Sequence, residues 1–245
     1  MKRYLLSALF CVSTVAMAGD AALLTHIGSS KDGSSLAFME SGINDGMGNA
    51  YASVRIIDTL NNKYLAPAFD RVQTEDEMEN QAITLKTVEA DALKKAEATL
   101  KKLNISSATQ GTIVASRKVT DLEARKLKEL TFSTSAIIAG LISPTYTLKL
   151  TESKAKAPNG SYCIEESAAK KIKLEITDNQ TKKTRSLQTD TTLPSSRGCA
   201  HKYEIEDVIV TGSYESEKVV VLLRVFTYGF EGENVRYMAV SGSLK

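Results

Sequence analysis

Three stretches follow one another between Ile27 and Ala66: Ser30-Lys31-Asp32-Gly33-Ser34-Ser35-Leu36-Ala37-Phe38, Asn44-Asp45-Gly46-Met47-Gly48-Asn49, and Val54-Arg55-Ile56-Ile57-Asp58. Strands are expected at Leu23–Ile27, Ser35–Glu40, Tyr51–Asp58 and Tyr64–Ala66, separated by Asp32-Gly33, the glycine-rich 42–49 loop and Asn61-Asn62. The breaks are turn chemistry, since Gly and Asn accept positive φ while Asp and Asn side chains bond to nearby backbone. The reading is a four-stranded antiparallel meander. In its third strand Ala52, Val54 and Ile56 share one face and Ser53, Arg55 and Ile57 the other, as in a half-buried strand.

One long amphipathic helix is expected next, from about Glu75 to Leu103. Thr74 followed by Glu77 makes a capping box, in which hydroxyl and carboxylate satisfy amide donors at the helix start. Glu75, Asp76, Glu77 and Glu79 complement the positive end of the helix dipole, and Lys94, Lys95, Lys101 and Lys102 the negative end. Met78, Ala82, Leu85, Val88, Ala92, Ala96, Leu100 and Leu103 recur at spacings of three and four, one stripe to lay against a sheet. Asn104 is the expected cap at the far end.

The remainder favours strands: 112–115, 130–133, 145–150, 171–177, 204–211, 218–227 and 235–241. The almost continuous apolar run from Val219 to Phe226 suits a central strand covered on both faces. Thr120 and Glu123 suggest a short helix near 121–129, and residues 154–161 and 178–185 have the composition of exposed loops. The fold class is therefore α+β, mainly β: meander, helix, and an antiparallel β-rich half. The corresponding divisions are 19–70, 71–106 and 107–245, with one compact domain over 19–245 as the alternative.

Residues 1–18 have the form of a signal peptide: Lys2 and Arg3, the apolar run Leu5–Met17, and a small-x-small site, Ala16-Met17-Ala18, that places cleavage after Ala18. The run is shorter than the roughly 20 residues of a membrane span. The mature chain is expected to be exported, periplasmic or secreted, and not membrane-spanning. Without Lys2 and Arg3 the 31 basic residues fall to the same 29 as the acidic ones. A neutral chain with no basic stripe argues against nucleic acid as a partner.

Removal of the leader takes Cys11 and leaves Cys163 and Cys199, an even pair in an oxidising compartment, for which a disulfide is favoured over two free thiols. With only His26 and His201 as imidazoles, no four-ligand metal spacing can be assembled. No cofactor motif is present either. Asn44, Asp45, Asn49 and Asp58 offer hard oxygens, yet a calcium loop of the EF-hand type needs alternating acids and a distal glutamate, so turn formation is the simpler role.

The Asp32-Gly33 hairpin followed by Arg55-Ile56-Ile57-Asp58 and Asn61-Asn62 is similar to one blade of a TolB-like propeller, but no second copy recurs at a fixed period. Over nearly its whole length the chain resembles the predicted secreted bacterial proteins grouped as domain of unknown function 2259. The matching pieces are Asp32-Gly33-x-x-x-Ala37-Phe38-x-Glu40-x-Gly42, Asp45-Gly46-x-Gly48-x-x-Tyr51, Arg55-Ile56-Ile57-Asp58, Leu103-Asn104-Ile105, the Cys163 region and Phe226-x-x-Gly229-Phe230-Glu231-Gly232. This resemblance implies export and a β-rich fold, and supplies no catalytic residue.

Two functional classes follow. A non-enzymatic binding or envelope-associated module would meet an unknown periplasmic protein, envelope component or small ligand through sheet loops, with Asn44, Asp45, Asn49, Tyr51, Phe230 and Glu231 as the candidate binding residues. A periplasmic hydrolase is the alternative, resting on His26 or His201 with Ser and Asp. The absence of a Gly-x-Ser-x-Gly elbow argues against it.

Overall fold

A computed structural model describes residues 19–80, 83–117, 120–134, 143–158, 163, 168–213, 216–229 and 232–244. The leader with its cleavage position Ala18, as well as Phe230, Glu231 and Ala82, lie outside the described residues.

The expected meander is present as β1 (Leu23–Ser30), β2 (Ser35–Ile43), β3 (Ala50–Asp58) and β4 (Lys63–Tyr64). Two short strands extend it to six: β5 (Phe69–Val72) pairs with β3, and β6 (Ile105–Ser106) pairs with β1. Gly33 shows how closely its first turn is docked. With φ of +69°, it is placed so that an added Cβ would lie 2.3 Å from the Gly212 amide nitrogen of another sheet.

The expected single helix is two. Its capping box forms, with Thr74 Oγ1 accepting from Glu77 N at 3.3 Å and Thr74 N donating to Glu77 Oε2 at 2.9 Å, but α1 covers only Glu75–Glu79. A second cap, Thr84, accepts from Thr87 N at 3.4 Å and starts α2, Leu85–Lys102. A threonine hydroxyl inside a periodic window bonds to backbone as readily at a new helix start as it tolerates a helix interior, and the start prevails here. Asn104 takes the left-handed conformation, φ +52°, just past the helix end. Val88, Ala92 and Ala96 are fully buried against Met39, Ala52 and Val54 on the outer face of β2 and β3. Small alanines on both surfaces let helix and sheet approach closely.

The β-rich half forms two further sheets. The central sheet runs β14 (Glu233–Ser243), β13 (Lys218–Tyr228), β12 (Lys202–Thr211) and β7 (Thr112–Ser116). The third runs β11 (Thr184–Thr189), β10 (Lys170–Asp178), β9 (Thr145–Lys154) and β8 (Glu129–Ser133). All pairings within the three sheets are antiparallel. The expected 178–185 loop is shorter than read, because its ends belong to the β10–β11 hairpin. A short helix, α3 (Leu122–Lys126), lies within the expected stretch but is shorter than 121–129 and is capped by Asp121, whose carboxylate accepts from Ala124 N at 2.9 Å, rather than by Thr120.

The sheets stack with the central one in the middle. Val219, Val221, Leu223 and Val225 of β13 pack toward Leu148, Leu174 and their neighbours in the third sheet. Val220 and Leu222 pack the other way, onto Leu36, Phe38 and Ile57. Both faces of β13 are thereby covered, and each such side chain gains roughly 1.5–3 kcal/mol from leaving water. The apolar faces of β12 stay aligned only because of a bulge between Ile205 and Asp207. Tyr203 and Ile205 face the third sheet before it, and Val208 and Val210 after it. β13 is covered on both faces as expected, whereas β3 departs from expectation: its alternation is as read, but the helix covers one face and the central sheet the other, so it is buried on both sides rather than half-buried.

The outer edge of β14 is closed by groups from the first sheet and the chain preceding it. Val235 N donates to Asp20 O at 2.8 Å, Tyr237 N to Glu40 Oε2 at 2.8 Å, Ala239 N to Tyr64 Oη at 2.9 Å, and Ser241 N to Asn62 Oδ1 at 2.9 Å. Near α3, the fully buried Arg224 pairs with Glu204 and Glu206, and Arg125 joins Glu204 at 3.0 Å.

Candidate functional site

The 44–49 loop closes on itself. Asn44 N donates to Asn49 O and Gly48 N to Asn44 O, both at 2.9 Å, while Asn44 Nδ2 donates to Asn49 Oδ1 at 3.0 Å. Asn49 is buried and donates to Gln73 O at 3.2 Å, tying the loop to the chain just before α1. Asp45 is half-buried at the loop tip. Tyr51 points elsewhere, into the space between the first and central sheets, where its hydroxyl donates to Asp20 Oδ1 at 2.8 Å. Burial pushes the Tyr51 phenol well above the usual tyrosine range. The structure thus joins Asn44 to Asn49 and separates Tyr51 from them.

A cleft of about 430 Å³ opens along the β14 edge between the β4 turn and β11, and Tyr51 reaches it only through Arg236, which lines it and lies over the Tyr51 ring. Three arginines from different elements line it: Arg55 on β3, Arg236 on β14, and Arg197 in the 3-10 turn Ser195–Arg197 that leads toward β12. Glu40 Oε1 accepts from Arg55 Nε at 3.1 Å and Nη2 at 2.9 Å, while its Oε2 takes the Tyr237 amide. Asp190 receives both terminal nitrogens of Arg197, at 2.5 and 2.8 Å, together with the Ile172 amide and Gln188. Arg236 pairs with Asp20 and lies 4.5 Å from the centre of the Tyr51 ring.

Two of the three pairs share one polarity, and the third is buried on both sides. The carboxylate side chains of Glu40, Asp20 and Asp190 are only 2%, 3% and 1% exposed, whereas those of Arg55 and Arg236 are 32% and 33% exposed and Arg197 8%. Burial disfavours the charge on Arg55 and Arg197, yet Glu40 and Asp190 outweigh it and hold both above the usual arginine value.

Among the residues singled out in the sequence, Glu40, Arg55 and Asn62 line this cleft, and Gly42 and Tyr51 pack against each other outside its lining. Gly42 faces the Tyr51 ring, and an added Cβ would lie 2.8 Å from its hydroxyl oxygen, so the missing side chain makes room for the bond to Asp20. Asp20, Tyr64, Arg197 and Arg236 escaped sequence reasoning. One signal was available for the site: Glu40 continues the alternation of Leu36 and Phe38, which puts a carboxylate on an inward face.

Each histidine is paired with a carboxylate. His26 Nε2 is 2.8 Å from Asp207, and His201 Nε2 is 2.7 Å from Glu233, with the His201 ring stacked on Tyr228 at 4.1 Å. The other His201 nitrogen, Nδ1, is buried with no hydrogen-bond partner among the described residues, which withdraws it from a substrate. The Cys163–Cys199 disulfide is formed, with Cα atoms 5.5 Å apart, and anchors the chain between Arg197 and His201.

Among the described residues, no helix is long and apolar enough to cross a membrane. No curated protein and no solved structure matches the chain. The family described as predicted secreted protein (DUF2259) matches residues 37–243, a span that holds the β2–β3 pair, all three arginines of the cleft and the disulfide, and the chain belongs to that family.

Proposed function

We propose that the protein is a non-enzymatic binding module of the periplasm or envelope that takes a small ligand in the cleft beside β14. The observation that carries this reading is a cavity of about 430 Å³, in the size range of small-molecule sites, lined by arginines held in place by buried partners. Such support fixes donor positions before a ligand arrives, which lowers the entropy lost on binding. The tip of the 44–49 loop, with Asp45, is a second surface at which a partner protein could dock.

The test is native mass spectrometry of residues 19–245 after incubation with a periplasmic small-molecule extract. A retained ligand is expected, lost in Thr227→Trp, which fills the mouth of the cleft. A ligand released with altered mass would mean turnover and favour the hydrolase reading. Retention unaffected by Thr227→Trp would move binding away from the cleft.

A further inference from the structure

Within that binding reading, on which this step rests, we infer that the cleft selects a small anion, a carboxylate or phosphate compound gripped by guanidinium groups from three separate elements. The argument is one of orientation. Each ion pair is neutral in sum, but each is also a dipole, and two of them are arranged alike, with the Glu40 and Asp20 carboxylates buried and the Arg55 and Arg236 guanidinium groups about one-third exposed in the cleft lining; Arg197 lines the same cleft but is itself buried on Asp190. In a recess with low-dielectric walls, oriented dipoles of this kind favour negative charge even where the net charge is zero.

Donor capacity agrees with orientation. A guanidinium has five N–H donors, and Glu40 engages Nε and Nη2 of Arg55, which leaves the two hydrogens of Nη1 for a ligand. Tyr64 adds a hydroxyl whose oxygen already accepts the Ala239 amide and whose hydrogen remains to donate. The planar fork of arginine matches the paired oxygens of a carboxylate or phosphate. A polyanion such as nucleic acid is disfavoured, because the mature chain is formally neutral and the arginines gather in one recess rather than along a stripe.

The experiment is a two-dimensional 1H–15N NMR titration of residues 19–245, following arginine Nε–Hε and backbone signals at fixed ionic strength. The probes are succinate, inorganic phosphate and, as a neutral control, glucose. Saturable shifts at Arg55, Arg197 or Arg236 with succinate or phosphate, and none with glucose, are expected; the better of the two anions identifies the headgroup chemistry. Because removing one partner would strand a buried charge, the variants remove both: Glu40→Gln with Arg55→Gln, and Asp20→Asn with Arg236→Gln. Each should weaken anion binding about tenfold, the loss expected for one charge-assisted contact. Thr227→Trp, which leaves every charge in place, should abolish the shifts. No saturable shift with either anion, or shifts unchanged in the paired variants and in Thr227→Trp, overturns the inference. Shifts at the cleft with glucose alone would overturn it while leaving the binding reading standing.

Discussion

The 44–49 loop and the arginine cleft are both polar, and they use their polar groups in opposite ways. In the loop, Asn44 and Asn49 satisfy each other and the adjacent backbone, so the chemistry is consumed by the turn. In the cleft, Glu40, Asp20 and Asp190 are buried with the arginines they hold, and Arg55 and Arg236 keep about one-third of their side chains exposed. Side chains close in sequence find one another first. A surface that keeps donors for a ligand needs partners from distant parts of the chain.

Four measurements test that contrast. Asp190→Ala should have the largest effect, a loss of about 3–5 kcal/mol in urea denaturation, because it strands the buried Arg197 along with the Ile172 amide and Gln188. A loss below about 1 kcal/mol would show that the cleft is not built from behind. Replacing Cys163 and Cys199 with serine should cost roughly 3–4 kcal/mol by chain entropy, given the separation of 36 residues. If stability were unchanged, the Arg197 segment would have to be held by packing alone. Asn49→Ala in the loop should cost less, about 1–2 kcal/mol, for its bonds to Asn44 and Gln73. A value matching Asp190→Ala would erase the difference between the two regions.

The smallest effect is a pH dependence. The Ser30 hydroxyl, followed by the Ser34 amide and hydroxyl, lowers the Asp32 carboxyl to about 2. Burial pushes Asp190 up, but Arg197, the Ile172 amide and Gln188 together hold it below the usual carboxylate range. Both folded values lie below the ordinary 3.8, so their stabilisation is complete above about pH 4 and lost as pH falls through the folded values. Asp32→Asn should therefore flatten the fall in urea midpoint between pH 4 and 2, in part only, since Asp190 still titrates. An unchanged slope would remove Asp32 from the account.

What could be read from the sequence was local or strongly periodic. The Asp32-Gly33 turn, the Thr74 capping box and the apolar run of β13 each carry their signal within a few residues, and the structure contains all three. The division of the helix escaped because Thr84 sits within an unbroken apolar stripe, where periodicity cannot distinguish one helix from two. β11 was missed because Thr184–Thr189 is polar except for Leu187, as suits a strand at the edge of an outer sheet. The cleft was legible only in Glu40, Arg55 and Asn62. Its other members, from Tyr64 to Arg236, meet only once three sheets have stacked, and no spacing in a single chain announces that.

The closure of β14 bears on how the folded protein avoids pairing with other chains. An uncovered edge strand offers a template on which another chain can add, the route to runaway aggregation. Here alternate amides along that edge are already engaged by Asp20, Glu40, Tyr64 and Asn62. The amides of Tyr237, Ala239 and Ser241 should accordingly exchange with deuterium as slowly as those of an interior strand. Three of the groups that cover this edge, Glu40, Asn62 and Tyr64, also line the cleft, so a substitution that reshapes the cleft would uncover the edge as well.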